Sequence, residues 1–503
     1  MIVNEKAILY VWISTAGDPV MRRLATFCFA ALLVFPPDAA KPDVLSDAAR
    51  LEAAGRFREA EAMLSGALST AGAAERPTLA FELDRLRRIR LDYNLTREKL
   101  WRQLDRSIPN VTEPEFDRWI SQGKFDTRVI DDTLRFLGVS RSNLFWRNPD
   151  IAARRRPVEN DSLGEHAVLA NADAIVHAAR LSGSAYVLPI RFAVTMKVSA
   201  DSGAVPPGSP IRAWLPIPRK YDHQGGFTVT SSSSPAVSIA GETSSIRSAY
   251  MEQPAASDGP TVFELKYTYV SSGVSFHGMD PAKIVPADAQ SPELAPYLRE
   301  APHVVFTDTM RAVSHAVVGS ETNPLLKARR IYMWIAENFM YSFAHEYSTI
   351  RNISDFCLRK GYGDCGQHTL LFITLCRLNG IPARWQSGWY TFPGAKTIHD
   401  WAEIHLAPYG WIPVDVDMGV FAHRYFTSLT PEERQRLKEF FFGGLDQYRI
   451  AANSDHSQTL EPPKRFHRSD TVDFQRGELE SADANIYFDR SSFSLTAEQT
   501  PSP

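Results

Sequence analysis

The period of the apolar positions changes along this chain, and each change predicts a different kind of element. From residue 42 to about 182 the spacing is helical, as in Ala48, Ala49, Phe57, Ala60 and Leu64. Thr112, Pro114 and Glu115 carry a capped-helix start within this stretch. From about Tyr186 to Val274 the period falls to two. Ile190-Arg-Phe192-Ala-Val194-Thr-Met196-Lys-Val198 alternates without a break, and Ile211 to Pro218 and Val262 to Tyr269 are further short runs between turns. Short strands divided by turns predict a β-sandwich. Helical spacing returns at Asn323-Pro324, with Ala328, Ile331, Trp334, Ile335 and Phe339 on one face. A second helix is predicted from Cys365, through Leu370, Leu371, Ile373, Leu375 and Leu378, to a capping Gly380. Two strands come next, Arg384–Phe392 and His399–Ala407. In the latter His399, Trp401, Glu403 and His405 share one face, and Ile404 and Leu406 the other. Pro408-Tyr409-Gly410 is a turn, and Trp411–Val416 completes a hairpin. A helix is predicted over Pro431–Phe442, two strands over 471–495, and a frayed tail over 496–503.

These runs predict an α+β multidomain chain. A helical domain spans 41–183 and a β-sandwich domain spans 184–280. A third domain with an antiparallel sheet spans 281–455, and C-terminal strands and a tail span 456–503. A chain of 503 residues exceeds one ordinary core, which agrees with several domains. A net charge of −3 gives no electrostatic case for nucleic acid. At the N-terminus, Met21-Arg22-Arg23 precedes apolar Leu24–Phe35 and a small-residue stretch ending at Ala40. Together they read as a signal peptide, with residues 1–20 a gene-model extension. Twelve apolar residues are too few to span a bilayer, so a periplasmic or secreted protein without a stable membrane span is expected.

The candidate chemistry lies in the third domain. Gly361-Tyr362-Gly363-Asp364 is a loop, which puts Cys365 in the first turn of an apolar helix. The positive end of the helix dipole and a nearby imidazolium would both lower the thiol's pKa. The hairpin can set His399 across from Asp415, giving a nucleophile, a base and a residue that orients the base. Asp417 and Asp400 are rivals for the third role, although Asp400 points away from His399's face and Asp417 lies at the frayed strand end. Gly366 leaves room for a carbonyl near the backbone amides, and Tyr362 and Gln367 flank the thiol as further oxyanion candidates. Trp389 and Trp401 are candidates for a substrate groove. Beyond residue 40 the cysteines are Cys357, Cys365 and Cys376, an odd count that fits one reactive thiol. The other two are expected to be buried thiols, with a disulfide between them as the alternative. His399, Glu403 and His405 share a strand face but lack recognised zinc spacing, so no metal site is expected.

Four blocks in order resemble the transglutaminase-like superfamily, a papain-like fold, over about 325–420. They are Gly363-Asp-Cys365, Gly380-Ile-Pro-Ala-Arg384, His399-Asp-Trp401-Ala-Glu403 and Gly410-Trp-Ile-Pro-Val-Asp415. The resemblance implies a catalytic triad of Cys365, His399 and Asp415, no cofactor, and a secreted bacterial multidomain type. Two departures stand out. Asp400 replaces the usual small residue after the histidine, and no acidic run resembles the calcium sites of animal crosslinking enzymes. The leading expectation is a secreted cysteine amidase or peptidase acting on peptide, protein or glycopeptide amides. The alternatives are a protein-glutamine acyltransferase and a non-catalytic peptide- or glycan-binding protein.

Overall fold

The computed structural model describes residues 43–156, 164–395 and 397–501. The signal-peptide segment and the extension before it lie outside the described residues. No helix among the described residues is long and apolar enough to cross a membrane.

The N-terminal region runs through α1 (Val44–Ala53), α2 (Phe57–Thr70), α3 (Arg76–Asp92), α4 (Arg97–Ser107) and α5 (Glu113–Ser121). It continues through α6 (Ser140–Arg147), α7 (Pro149–Ala152) and α8 (Glu165–Ser182). Asp43, Thr96 and Thr112 cap three of these helices by accepting from backbone amides of the first turn. Two local departures from the sequence reading appear. An antiparallel hairpin, β1 (Thr127–Ile130) and β2 (Thr133–Phe136), interrupts the helices and contributes Ile130 and Phe136 to their cores. Its turn uses Asp131 and Asp132 at positive φ, a conformation that Asp tolerates better than most residues. The last helix, α8, leaves the others. Its Val168, Leu169, Ala172 and Ile175 pack on Phe440 and Phe441, far along the chain.

Two five-stranded sheets follow. One contains β3 (Tyr186–Ala200), β8 (Thr261–Ser275) and β5 (Gln224–Ser232). The other contains β4 (Pro210–Pro216), β7 (Ser248–Pro254) and β6 (Val237–Ile239). The alternation read in β3 is realised, since Phe192, Val194, Met196 and Val198 face inward against Ile211, Ala213 and Leu215 of the opposite sheet. The C-terminal segment is not an appendix to the core. β16 (Glu478–Ser481) pairs with β4, and β17 (Asn485–Ile486) pairs with β16. β18 (Ser491–Thr500) pairs with β3 from Ser491↔Ala200 to Thr500↔Arg191, so most of the stretch read as frayed is an ordered edge strand.

Between these parts lies a four-stranded antiparallel sheet in the order β13 (Gly410–Val414), β12 (Thr397–Leu406), β11 (Ala383–Tyr390), β15 (Arg449–Asn453). Helices α9 (Asp308–Val318), α10 (Pro324–Asn338), α11 (Ile353–Lys360) and α12 (Cys365–Leu378) build its core with Trp385, Ala402, Ile404 and Leu406. Asn323 caps α10 through Leu325 and Leu326 N–H, as its position before Pro324 predicts. The strand read over Trp411–Val416 stops at Val414. Asp415 caps α13 (Val416–Arg424) by accepting from Met418 N–H, and a satisfied N-cap wins over strand continuation. α14 (Pro431–Phe440) starts with a full Thr430/Glu433 capping box.

Candidate active site

Cys365 opens α12, and the Asp364 side chain caps that helix through Gln367 N–H at 3.1 Å. Tyr347 Oη donates to the same Asp364 oxygen at 2.5 Å, so the turn that carries the thiol is tied from two sides. Gly366 is required by this crowding. A Cβ there would lie 2.2 Å from Tyr347 Oη and 2.8 Å from Asp400 Oδ2. Cys365 Sγ lies 3.3 Å from Asp400 Oδ2. Cys357 and Cys376 are free, buried thiols, both in the core around α12.

His399 sits on β12 opposite Gly388 of β11. Its Nε2 is 2.8 Å from Asp415 Oδ2. The same carboxylate oxygen accepts from Arg449 Nη1 at 2.8 Å, while Oδ1 accepts from Met418 N–H at 3.0 Å. Burial opposes ionisation of Asp415, but His399 and Arg449 together hold its carboxyl below the usual carboxylate range. Arg449 is itself fully buried, bridges to Asp446, and lies over the Tyr390 ring at 4.3 Å. His399 and Asp415 thus meet through a buried hydrogen bond. The route differs from the expected hairpin, because Asp415 reaches His399 from a helix cap and not from the ladder.

Asp417 lies in the first turn of α13 and not at a strand end. Its Oδ1 is 2.9 Å from Nδ1 of the buried His368, one turn after Cys365. Asp400, the next residue along β12, has its carboxyl beside the thiol. Its Oδ1 accepts from Gln475 Nε2 at 2.6 Å, and Gln475 also donates to His399 O at 2.9 Å.

These neighbours overturn the expectation of a lowered thiol pKa at rest. Burial pushes the Cys365 thiol well above its ordinary value, and each of the Asp400, Asp364 and Asp417 carboxyls pushes the same way when ionised. A thiolate 3.3 Å from an ionised Asp400 would be raised by about 5 kcal/mol at an effective dielectric constant of about 20. The helix N-terminus contributes far less than this.

Other expected site residues are occupied elsewhere. Tyr362 Oη donates to Asp126 at 2.5 Å, and its ring lies 4.3 Å from the Arg147 guanidinium, so it docks the helical region and supplies no oxyanion donor. Gln367 is buried, and its backbone N–H is taken by Asp364, whereas its side-chain Nε2 has no partner among the described residues. Trp389 is buried between the four-stranded sheet and the two larger sheets, donating to Gln475 O at 3.1 Å. Trp401 is buried and stacks beside His399 at 6.1 Å, so both tryptophans are walls behind the site and not a groove. Glu403 is taken by Arg384 and Gln386, which separates it from His399. Sequence reasoning missed Arg449, Gln475, Asp473, Tyr347 and His368. The four other than His368 come from segments outside the recognised blocks, and His368 carries no distinguishing spacing.

Residues 311–416 match the family model of the transglutaminase-like superfamily, and the chain carries a transglutaminase-like domain there. An uncharacterised protein of Haemophilus influenzae is 25% identical over 207 residues, covering 35% of this chain and 55% of the relative. The chain thus spans about half the length of the curated relative it matches. Among solved structures, a candidate cysteine protease from Cytophaga hutchinsonii is similar at 14% identity and a TM-score of 0.38, covering 63% of this chain and 93% of that one. The periplasmic domain of TgpA from Pseudomonas aeruginosa is similar at 17% identity and a TM-score of 0.26, covering 52% of this chain and 95% of that one.

Proposed function

We propose that the protein is a cysteine amidase or peptidase that cleaves peptide or glycopeptide amides through Cys365, His399 and Asp415. The observation that carries this reading is the buried His399–Asp415–Arg449 chain beside a helix that begins with a thiol. A packing role does not require a histidine, a carboxylate and a guanidinium to be gathered and desolvated together.

The mechanism follows from which atoms are free. His399 donates Nε2–H to Asp415, which leaves the Nδ1 lone pair to take a proton. Because the resting thiol is protonated, its proton passes to Nδ1 as sulfur attacks the amide carbonyl carbon. The C–O π pair moves to oxygen. Amides of the first turn of α12 have no intrahelical acceptor, and those of Cys365 and Gly366 are the donors for this oxyanion. Collapse breaks the C–N bond, and the leaving amine takes the proton from Nδ1. Water then adds to the thioester with His399 as base, releasing acid and restoring the thiol. The ion pair with Asp415 and Arg449 supports the imidazolium at both proton transfers.

The Met21–Ala40 segment supports a site of action outside the cytoplasm. The test incubates the protein and its Cys365→Ala variant with a peptide library and peptidoglycan fragments, with and without a primary amine, read by mass spectrometry. New carboxyl termini that need Cys365 support hydrolysis. Amine adducts that dominate over acid products would make the protein an acyltransferase. Products made equally by both proteins would overturn the reading.

A further inference from the structure

Asp400 departs from the superfamily's pattern, and its surroundings give the departure a use. The residue opposite it on β11 is Ser387, whose hydroxyl donates to Asp473 Oδ1. Asp473 also accepts from Phe474 N–H at 2.6 Å and from Asn453 Nδ2 at 3.3 Å. Asp400 and Asp473 belong to one buried cluster, linked through Ser387, which stands opposite Asp400 on the ladder and bonds Asp473. Two neighbouring carboxyls this deeply buried oppose each other's ionisation, so the pair holds a proton. Donors decide where it resides. Asp473 collects a hydroxyl, a backbone amide and a carboxamide. Asp400 has one carboxamide donor, from Gln475, and on its other oxygen only the weak S–H donor of Cys365. The ionised form is better supported at Asp473, which leaves the proton on Asp400.

We propose that Asp400 is a catalytic residue of this site: a neutral carboxyl that donates a hydrogen bond to Cys365 Sγ as the thiolate forms, kept neutral by sharing one proton with Asp473. The proposal rests on the reading of Cys365 and His399 as nucleophile and base. During attack the S–H bond breaks and an N–H bond forms on His399. Asp400 keeps its own proton and turns it toward sulfur. If the pair loses that proton, the thiolate faces a carboxylate and the nucleophile is switched off.

The other titratable groups around Asp400 are Cys365 and Asp364 from the start of α12, and Tyr341 and Tyr347 from the segment before α11. Burial raises both tyrosines well above their ordinary range, so they stay neutral through the working range. Burial lifts Asp364 to about 6, and Asp400 is raised well above a normal carboxyl, first by burial and then by Asp473 and Asp364.

The test follows the iodoacetamide rate at the Cys365 peptide against pH in the full-length protein. In Asp400→Asn the carboxamide is a donor that cannot ionise. The ratio of its rate at pH 9 to that at pH 6 should exceed the wild-type ratio at least tenfold. Asp400→Ala, with no donor, should react at least tenfold more slowly than Asp400→Asn at pH 6. Asp473→Asn removes the charge that keeps Asp400 neutral and offers it a donor, so Cys365 should react more slowly than wild type at pH 7. Asp92 and Asp364 also carry protons at pH 6, so the infrared readout is the wild-type minus Asp400→Asn difference spectrum, which should show one lost carboxylic-acid C=O band. Asp473→Asn decides the matter should Asp400→Asn fold poorly. Unchanged pH ratios, or a tenfold faster Asp400→Asn at pH 6, would overturn the proposal, the latter because it marks an ionised Asp400. His399→Asn separates the two readings. If it leaves alkylation at every pH unaltered, the base assignment fails, while the Asp400 ratios still decide the role of the carboxyl.

Discussion

Asp415 is the residue whose neighbours make the sharpest demands. Its carboxyl serves His399, Arg449 and the amide of Met418 at once. An amide at this position can still cap α13 and touch the ring, but it favours the wrong tautomer and cannot support imidazolium. Asp415→Asn should therefore lower turnover by roughly 10³-fold or more, measured as the acylation rate on the cleaved substrate. Asp417→Asn should cost far less, because Asp417 serves His368 and not His399. Arg449→Met tests the other side of the same carboxylate. It leaves Asp446 and Asp415 buried without their cation, and the loss should be about 3–5 kcal/mol in urea unfolding, with the Asp415 carboxyl titrating at higher pH. A shift of less than about 1 kcal/mol would mean that Arg449 is not what holds the pair.

At the scale of elements, the site depends on how closely β11 approaches β15. Gly388 faces His399 across one ladder, and its second neighbour, Ile450 O, lies only 1.7 Å from where a Cβ would sit. No side chain can yield there, since the obstacle is backbone. Gly388→Ala should push β15 off the sheet and carry Arg449 away from Asp415. The expected cost is at least about 3 kcal/mol, at the upper end for overpacking, with loss of activity in the folded fraction. Denaturant midpoints compared with those of Cys376→Ser calibrate the scale. That substitution puts an unpaired hydroxyl in the core around α12 and should cost about 1–3 kcal/mol without touching the site. Reading of the elements from sequence succeeded where one face is apolar and capped, as in α10, α12 and β3. It failed at β13–α13, where Asp415 was taken into a strand. A lone Asp followed by Val, Asp and Met signals a cap only once the chain has nowhere else to pair.

Across the whole molecule, the N-terminal helices lie against the residues that tie down the thiol's turn. Asn143 pairs with both backbone groups of Phe343, and Arg88 reaches the carbonyls of Arg468 and Ser469. Asp92 accepts from Glu346 N–H at 3.0 Å, next to Tyr347 and hence to Asp364. Burial, with the Glu346 charge, lifts Asp92 to about 7. A carboxyl raised on folding binds more protons in the folded state, so the stability it contributes is present at low pH and lost as pH rises. The window runs from about 4 to about 7, with a total loss on the order of 4 kcal/mol if only Asp92 titrates there. Asp92→Asn should reduce the slope of unfolding free energy against pH in that window, and an unaltered slope would show that Asp92 is solvated in solution.

The amino-acid sequence by itself determined the candidate residues and their local frames. A glycine-bounded loop before an apolar run puts Cys365 at a helix start, and period-two alternation puts His399 and Asp400 on opposite faces of one strand. Both are short-range consequences of sterics and burial, so they are legible residue by residue. What the tertiary structure alone decided is which charges meet the thiol. Arg449, Asp473 and Gln475 come from segments after the recognised blocks, and Tyr347 from a turn before them. Only the closing of β15 and the C-terminal strands onto sheets begun far earlier brings them together. Burial then changes their meaning: in water Asp400 would be one more carboxylate, and beside Asp473 in a dry core it becomes a place to hold a proton.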